Sequence, residues 1–191
     1  MLNDVSSVTD SDLYQRTRSG DRSAFGELVE RHKDGLVNYL TRLCGNLELA
    51  EDLAQESFLR LYERGNHYRE QGKLQAYLFR IGTNLFRSQM RREQRWQRLG
   101  RLFFSSNGHH SEAVQQARIL QDELGQQLSA ALLELPMRYR TPLVLSFVEG
   151  WSHQQIADLM RCREGTVKSR IHRGRKLLQA ELEAYRNGDP S

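Results

Sequence analysis

Apolar residues recur at intervals of three and four along most of the chain, and alternating runs of β-branched residues are absent. That spacing predicts an all-α protein. The stretch SDLYQRTRSGD reads as a short helix ending at Gly20. A second helix follows in DRSAFGELVERHKDGLVNYLTRLCG, with Asp21 as its N-cap and Phe25, Leu28, Val29, Leu36 and Leu40 along one side. The pattern continues into a third helix over Leu47 to Arg64, where Leu49, Leu53, Phe58 and either Leu61 or Tyr62 face inward. The polar segment GNHYREQGK then reads as a loop bounded by glycines. From Lys73 a long helix repeats Leu74, Tyr77, Leu78, Ile81 and Leu85, and it turns strongly basic after Phe86.

Beyond Gly100 the period is lost. The segment GRLFFSSNGHHSEA mixes Gly, Ser, Asn and paired His and reads as a linker, within which Phe103 and Phe104 either finish the preceding helix or dock on a partner. Ala117, Leu120, Leu124, Leu128, Ala131, Leu132 and Leu135 restore helical spacing up to Pro136. Pro142 is expected in or near the first turn of a helix through PLVLSFVE, with Gly150 as its stop. Ser152 and Gln155 form a capping-box pair opening a helix that buries Ile156, Ala157, Leu159 and Met160. After a turn at Arg161 to Arg163, Val167, Ile171, Gly174 and Leu178 make one stripe of a last helix. Its opposite face carries Ser169, His172, Arg173 and Lys176, flanked by Lys168 and Arg175 on one edge and Arg170 on the other. A helix, a tight turn and a basic helix form a helix-turn-helix, whose second helix fits a DNA major groove about 12 Å wide. The expected architecture is therefore two small helical domains, 9–96 and 117–185, joined by a linker at 97–116.

Charge distribution changes this picture more than its total does. The 191 residues carry a net charge of only +4, yet Glu48 to Glu63 holds Glu48, Glu51, Asp52, Glu56 and Glu63 against Arg60 alone, whereas Arg87 to Arg101 is rich in arginine with Glu93 its single acid. Two faces of opposite sign point to two partners. No apolar run approaches the roughly 20 residues a bilayer needs, so a cytoplasmic protein without membrane insertion is expected. Cys44 and Cys162 lie far apart with no CxxC, which favours reduced apolar fillers over a disulfide or zinc site. His109 and His110 are adjacent without further ligands and read as solvated. No phosphate loop, HExxH or triad pattern stands out, so neither an enzyme nor a cofactor or metal is expected.

Taken together, LVERHKDGLVNYLTRLCGNLELAEDLAQESFLRLYERG, LQAYLFRIGTNLFRSQMRR and LLELPMRYRTPLVLSFVEGWSHQQIADLMRCREGTVKSRIHRGRKLLQ resemble a bacterial RNA polymerase sigma factor of the extracytoplasmic-function (ECF) subfamily of the sigma-70 family. The combination of AEDLAQESFLRLY, AYLFRIGTN and GTVKSRIHRGRK, in that order, carries the specificity. The resemblance implies a transcription initiation factor that binds core RNA polymerase and recognises promoter DNA, both as duplex and as melted non-template strand. It also implies an anti-sigma factor as a partner that holds the chain inactive until a signal arrives.

By that resemblance the polymerase-binding residues are Glu51, Asp52, Gln55, Glu56 and Arg60. Downstream-element DNA falls to His67, Tyr68, Arg69, Lys73 and Asn84, with Arg80, Arg87, Arg91 and Arg92 for phosphates. Capturing a flipped base needs such a cationic groove with aromatic or hydrogen-bonding edges. Upstream-element DNA falls to Arg163, Glu164, Thr166, Lys168 and Ser169 at base edges and to Arg170, Arg173 and Lys176 at phosphates. The chain departs from the family pattern at Leu74, Tyr77 and Ser88, and at Arg163, where a capping residue is common and Arg supplies no acceptor. An independent helix-turn-helix regulator, the competing reading, leaves the acidic helix and the basic loop unexplained.

Overall fold

The computed structural model describes residues 8–63, 74–103 and 123–187. Eight helices form among them: α1 (Asp10–Arg18), α2 (Arg22–Cys44), α3 (Leu47–Glu63), α4 (Leu74–Phe103), α5 (Glu123–Glu134), α6 (Met137–Phe147), α7 (His153–Met160) and α8 (Glu164–Asn187). No strand occurs among the described residues, as the helical spacing predicts.

The first four helices pack around α2, which touches α1, α3 and α4. Their starts are capped by short polar side chains. Thr9 and Asp12 form a reciprocal capping box on α1, Asp21 accepts from the Ser23 and Ala24 amides on α2, and the Asn46 side chain accepts from Leu49 N at 2.8 Å on α3. Leu28, Leu36, Leu40, Leu53, Phe58 and Leu61 are buried; burying a leucine fully is worth about 2 kcal/mol. Leu61 rather than Tyr62 takes the inward position, and Tyr62 lies exposed with its ring 5.0 Å from Phe25. A polar pair crosses this core. Thr83 donates to Phe79 O at 2.7 Å, so the Tyr39 hydroxyl, 2.7 Å away, donates to Thr83. Full burial pushes the Tyr39 phenol's pKa far up.

In the second group, α8 packs on α5, α6 and α7. Val167 and Ile171 are buried on its inner stripe. At Gly174 a Cβ would sit 2.8 Å from Leu143 Cδ1, so the helices approach closely only because no side chain intervenes. The Ser152–Gln155 capping box is present on α7. Three expectations shift. Helix α6 begins at Met137, with Pro136 at its N-cap, so Pro142 lies inside the helix rather than in its first turn. The same helix ends at Phe147, with Val148 as C-cap, ahead of Gly150. Helix α4 runs through Gly100 to Phe103, so residues 97–103 of the expected linker are helical. The rest of that linker, with Phe104, His109 and His110, lies outside the described residues.

The two groups also touch, through α2 with α5 and α6 and through α4 with α7. Phe79 stacks on Tyr39 at 4.6 Å and meets Trp151 at 5.2 Å, joining both groups in one buried cluster. Arg140 is only 9% exposed. Its Nε and Nη2 donate to Leu135 O at 3.2 and 2.9 Å, Nη2 donates also to Leu133 O, and Nη1 reaches across to Leu43 O.

Candidate functional site

The acidic residues of α3 stand where amphipathic spacing puts them, on the side away from Leu53, Phe58 and Leu61. Glu51, Asp52 and Gln55 are exposed, and Glu56 pairs with Arg60 at 2.7 Å one turn on. Such an exposed pair adds little stability, so its value lies in presenting charge. Beside Glu51 and Gln55 runs a groove of about 400 Å³ floored by Phe25, Val29, Val37, Ala54, Phe58 and Leu59. Leu59, 49% exposed, edges it. Sequence reasoning missed this apolar rim; its signal was Leu59 and Tyr62 falling off the buried stripe. A second hollow lies between α3 and α4, where Asp52, Glu56 and Arg60 face Ser88, Arg92, Arg95 and Trp96. Trp96 is 64% exposed and was likewise not foreseen. The faces of opposite sign therefore share one cleft.

Along α4, Asn84, Arg91 and Arg92 are exposed, and Arg80 lies 5.0 Å over the Tyr77 ring. Tyr77 is half-buried, in keeping with a mainly structural ring. Arg87 differs, because it is half-buried. Burial pulls its pKa down, Tyr39 opposes that, and the neighbouring cations Arg170 and Arg91 lower it further. His67, Tyr68, Arg69 and Lys73 lie outside the described residues.

At the start of α8, Arg163 is exposed and its carbonyl accepts from Thr166 N and Val167 N at 2.9 and 3.2 Å. No side chain of Arg163 can satisfy the first amides, which leaves a positive helix end facing solvent. Glu164 pairs with Lys168 at 2.9 Å, which lowers the Glu164 pKa. Ser169 donates to Thr166 O at 3.0 Å. Arg173 and Lys176 project outward, and Arg173, together with Arg138, lowers the Tyr139 hydroxyl's pKa, Arg138 having the larger effect. Arg170 is turned partly inward, with Nη1 3.9 Å from Cys162 Sγ. The structure thus gathers Arg163, Glu164, Thr166, Lys168 and Ser169 at one helix end, and it sets Arg170 apart from Arg173 and Lys176.

A helical domain with an acidic helix face is thus followed by one that ends in a basic helix-turn-helix. The sigma-70 region 2 family model matches residues 28–96 and the sigma-70 region 4 model matches residues 125–178. The ECF RNA polymerase sigma factor SigW of Bacillus subtilis is 32% identical over 175 residues, covering 88% of this chain and 94% of its own. SigE of Mycolicibacterium smegmatis, also an ECF sigma factor, is 38% identical over 171 residues, covering 87% of this chain and 66% of its own. The solved structure of the sigma factor RpoE in complex with the anti-sigma factor NepR from Bartonella quintana superimposes with a TM-score of 0.66 at 30% identity, covering 83% of this chain and 95% of that one. CnrH in complex with the cytosolic domain of CnrY gives 0.66 at 27% identity, covering 92% and 97%. The chain belongs to the ECF sigma factors of the sigma-70 family.

Proposed function

We propose that this sigma factor binds core RNA polymerase through the outer face of α3, and that α4 and α8 carry the downstream and upstream promoter elements. The observation that supports this most is the opposition of sign between two helices built alike. Helix α3 presents Glu51, Asp52 and Gln55 beside an apolar groove, while α8 and the residue before it present Arg163, Lys168, Arg173 and Lys176. Charge complementarity of the first kind sets register and association rate with a basic partner surface. The second kind binds phosphates and releases counterions.

In this reading 9–96 is the polymerase-binding and promoter-opening domain and 117–185 the upstream-reading domain. His67, Tyr68, Arg69 and Lys73 join Asn84 in holding an unpaired base, and Arg80, Arg87, Arg91 and Arg92 hold the backbone. The chain supplies recognition and strand opening, not catalysis; the polymerase performs the chemistry. It acts in the cytoplasm, and no helix among the described residues is long and apolar enough to cross a membrane. The complexes of RpoE with NepR and of CnrH with CnrY support an anti-sigma partner for this chain as well.

Competition for core polymerase against labelled wild-type chain tests the assignment. The double variant Asp52→Lys with Glu56→Lys is expected to lose on the order of a hundredfold in affinity, about 2.7 kcal/mol, with its helical content unchanged. Undiminished competition by that variant removes α3 from the polymerase interface.

A further inference from the structure

Helix α4 carries two polar faces, and the promoter reading uses one of them. Arg80, Asn84, Arg87 and Arg91 recur at spacings of four, three and four along the first. Leu85, Ser88, Gln89, Arg92 and Trp96 lie on the second, which turns toward α3 and lines the hollow of about 790 Å³ between the two helices. At about 100° per residue, Trp96 is rotated roughly 140° from Arg91, so the indole stands away from the DNA stripe. Arg92 lies between the two faces.

A single exposed tryptophan is ordinary on a protein surface; this one is distinguished by its position. Its side chain, 64% exposed, edges a hollow whose apolar lining is Leu49, Leu53 and Leu85. Among the described residues the charged lining is Asp52, Glu56 and Glu93 against Arg60, Arg92 and Arg95. Glu56 is held by Arg60 at 2.7 Å, whereas Asp52 is exposed and forms no ion pair with any described residue. Nucleic acid fits this lining poorly. Duplex DNA brings a negative charge about every 1.7 Å, and its phosphates would meet all the carboxylates of the hollow. A protein helix carrying both signs fits it well, with a cation directed to Asp52 and an acid to Arg95. The hollow is also continuous with the surface assigned above to core polymerase, because Asp52, Glu56 and Arg60 belong to both.

We propose that core polymerase fills the hollow between α3 and α4 as well as covering the outer face of α3, and that Trp96 anchors it there. An arginine or lysine of the polymerase lies over the indole face and reaches the Asp52 carboxylate. This rests on the reading of α3 as the polymerase-binding helix. Tryptophan attracts a cation more strongly than the other aromatic side chains, and the attraction grows as the pair leaves water. Tryptophan and arginine are also the residues that most often dominate binding near the centre of an interface. Trp96 thereby extends the polymerase contact onto α4, while Asn84 and Arg91 on the other face of that helix remain open to DNA.

The test uses the full-length chain with Trp96→Ala, Trp96→Phe and Leu59→Ser; Leu59 lines the outer groove and not the hollow. Circular dichroism checks helix content, and competition against labelled wild type reads affinity for core polymerase. Trp96→Ala is expected to lose about tenfold, Trp96→Phe to lose less, and both to bind a promoter duplex as wild type does. Combined with Asp52→Ala, Trp96→Ala should lose less than the product of the single losses, because both changes remove contacts to one cation. Losses that simply multiply overturn the shared cation. A photo-crosslinker, p-benzoylphenylalanine at position 96, should label a polymerase subunit in the holoenzyme on promoter DNA. A label on DNA or on no polymerase subunit overturns the inference, as does undiminished competition by Trp96→Ala or a parallel loss of its duplex binding. Should Leu59→Ser weaken competition while Trp96→Ala does not, the reading of α3 stands and the hollow is excluded. The reverse result places the contact in the hollow and removes the outer groove from it.

Discussion

Helices α3 and α8 are built on the same plan and present outer faces of opposite charge. Each buries one stripe, Leu53, Phe58 and Leu61 in the first and Val167, Ile171 and Gly174 in the second. Each also carries an i,i+4 ion pair on its outer side, Glu56 with Arg60 and Glu164 with Lys168. What separates them is the remaining surface, acidic beside an apolar groove on α3 and cationic on α8. The stripe fixes where a helix sits, and the outer face decides what it meets, so the two should respond independently to substitution.

Breaking the stripe should give the largest effect. Val167 is fully buried, and Val167→Asp puts an uncompensated carboxylate in the core at a cost of about 4 kcal/mol or more. Denaturant titration should show that loss, and duplex binding should vanish while association with core polymerase persists through α3. Loss of both activities together contradicts the independence of the two helices.

A smaller effect belongs to the apolar rim of α3. Leu59→Ser should lower affinity for core polymerase about tenfold, since the apolar area that Leu59 would bury against the partner is lost. Its folding stability should change by no more than about 0.5 kcal/mol. Equal affinity in a binding titration leaves the groove without a role in that contact.

On the outer face of α8, Arg173→Ala should weaken binding to every duplex alike and reduce the salt dependence by about one unit of slope. A loss confined to one promoter sequence reassigns Arg173 from phosphate to base. Smallest of all, Ser152→Ala removes the acceptor for Gln155 N and should cost about 1 kcal/mol in thermal unfolding. Its effect on duplex binding should be slight, because the cap supports α7 and not the basic face.

Much of this fold is legible in sequence because local chemistry and tertiary packing agree. Asp21 before α2 and Ser152 with Gln155 on α7 are short polar caps ahead of apolar spacing, and each forms the bonds its position predicts. Pro142 misleads for a physical reason. Proline is favoured in a first turn, yet here Pro136 already stops α5 and sets the N-terminus of α6, so Pro142 falls in the helix interior. The charged faces of α3 and α8 are readable from spacing, whereas the exposed Leu59 and Trp96 emerge only as positions left over once the stripes are assigned.

The least legible residue is Arg140. Nothing in helical periodicity marks an arginine whose partners are backbone carbonyls, one of them at Leu43. Side-chain pattern reports which face of a helix is apolar, and carbonyls at helix ends leave no trace in it. For the same reason the contact between the two domains has no counterpart in the sequence reading, which ends at each domain's own core.

The most direct measurement is run-off transcription with the host's core RNA polymerase on sheared genomic DNA, with and without this protein. Discrete transcripts that require the protein, share an upstream sequence and disappear with Asp52→Lys and Glu56→Lys are the predicted result. Transcription unchanged by its addition, although the purified chain still binds duplex DNA, contradicts it.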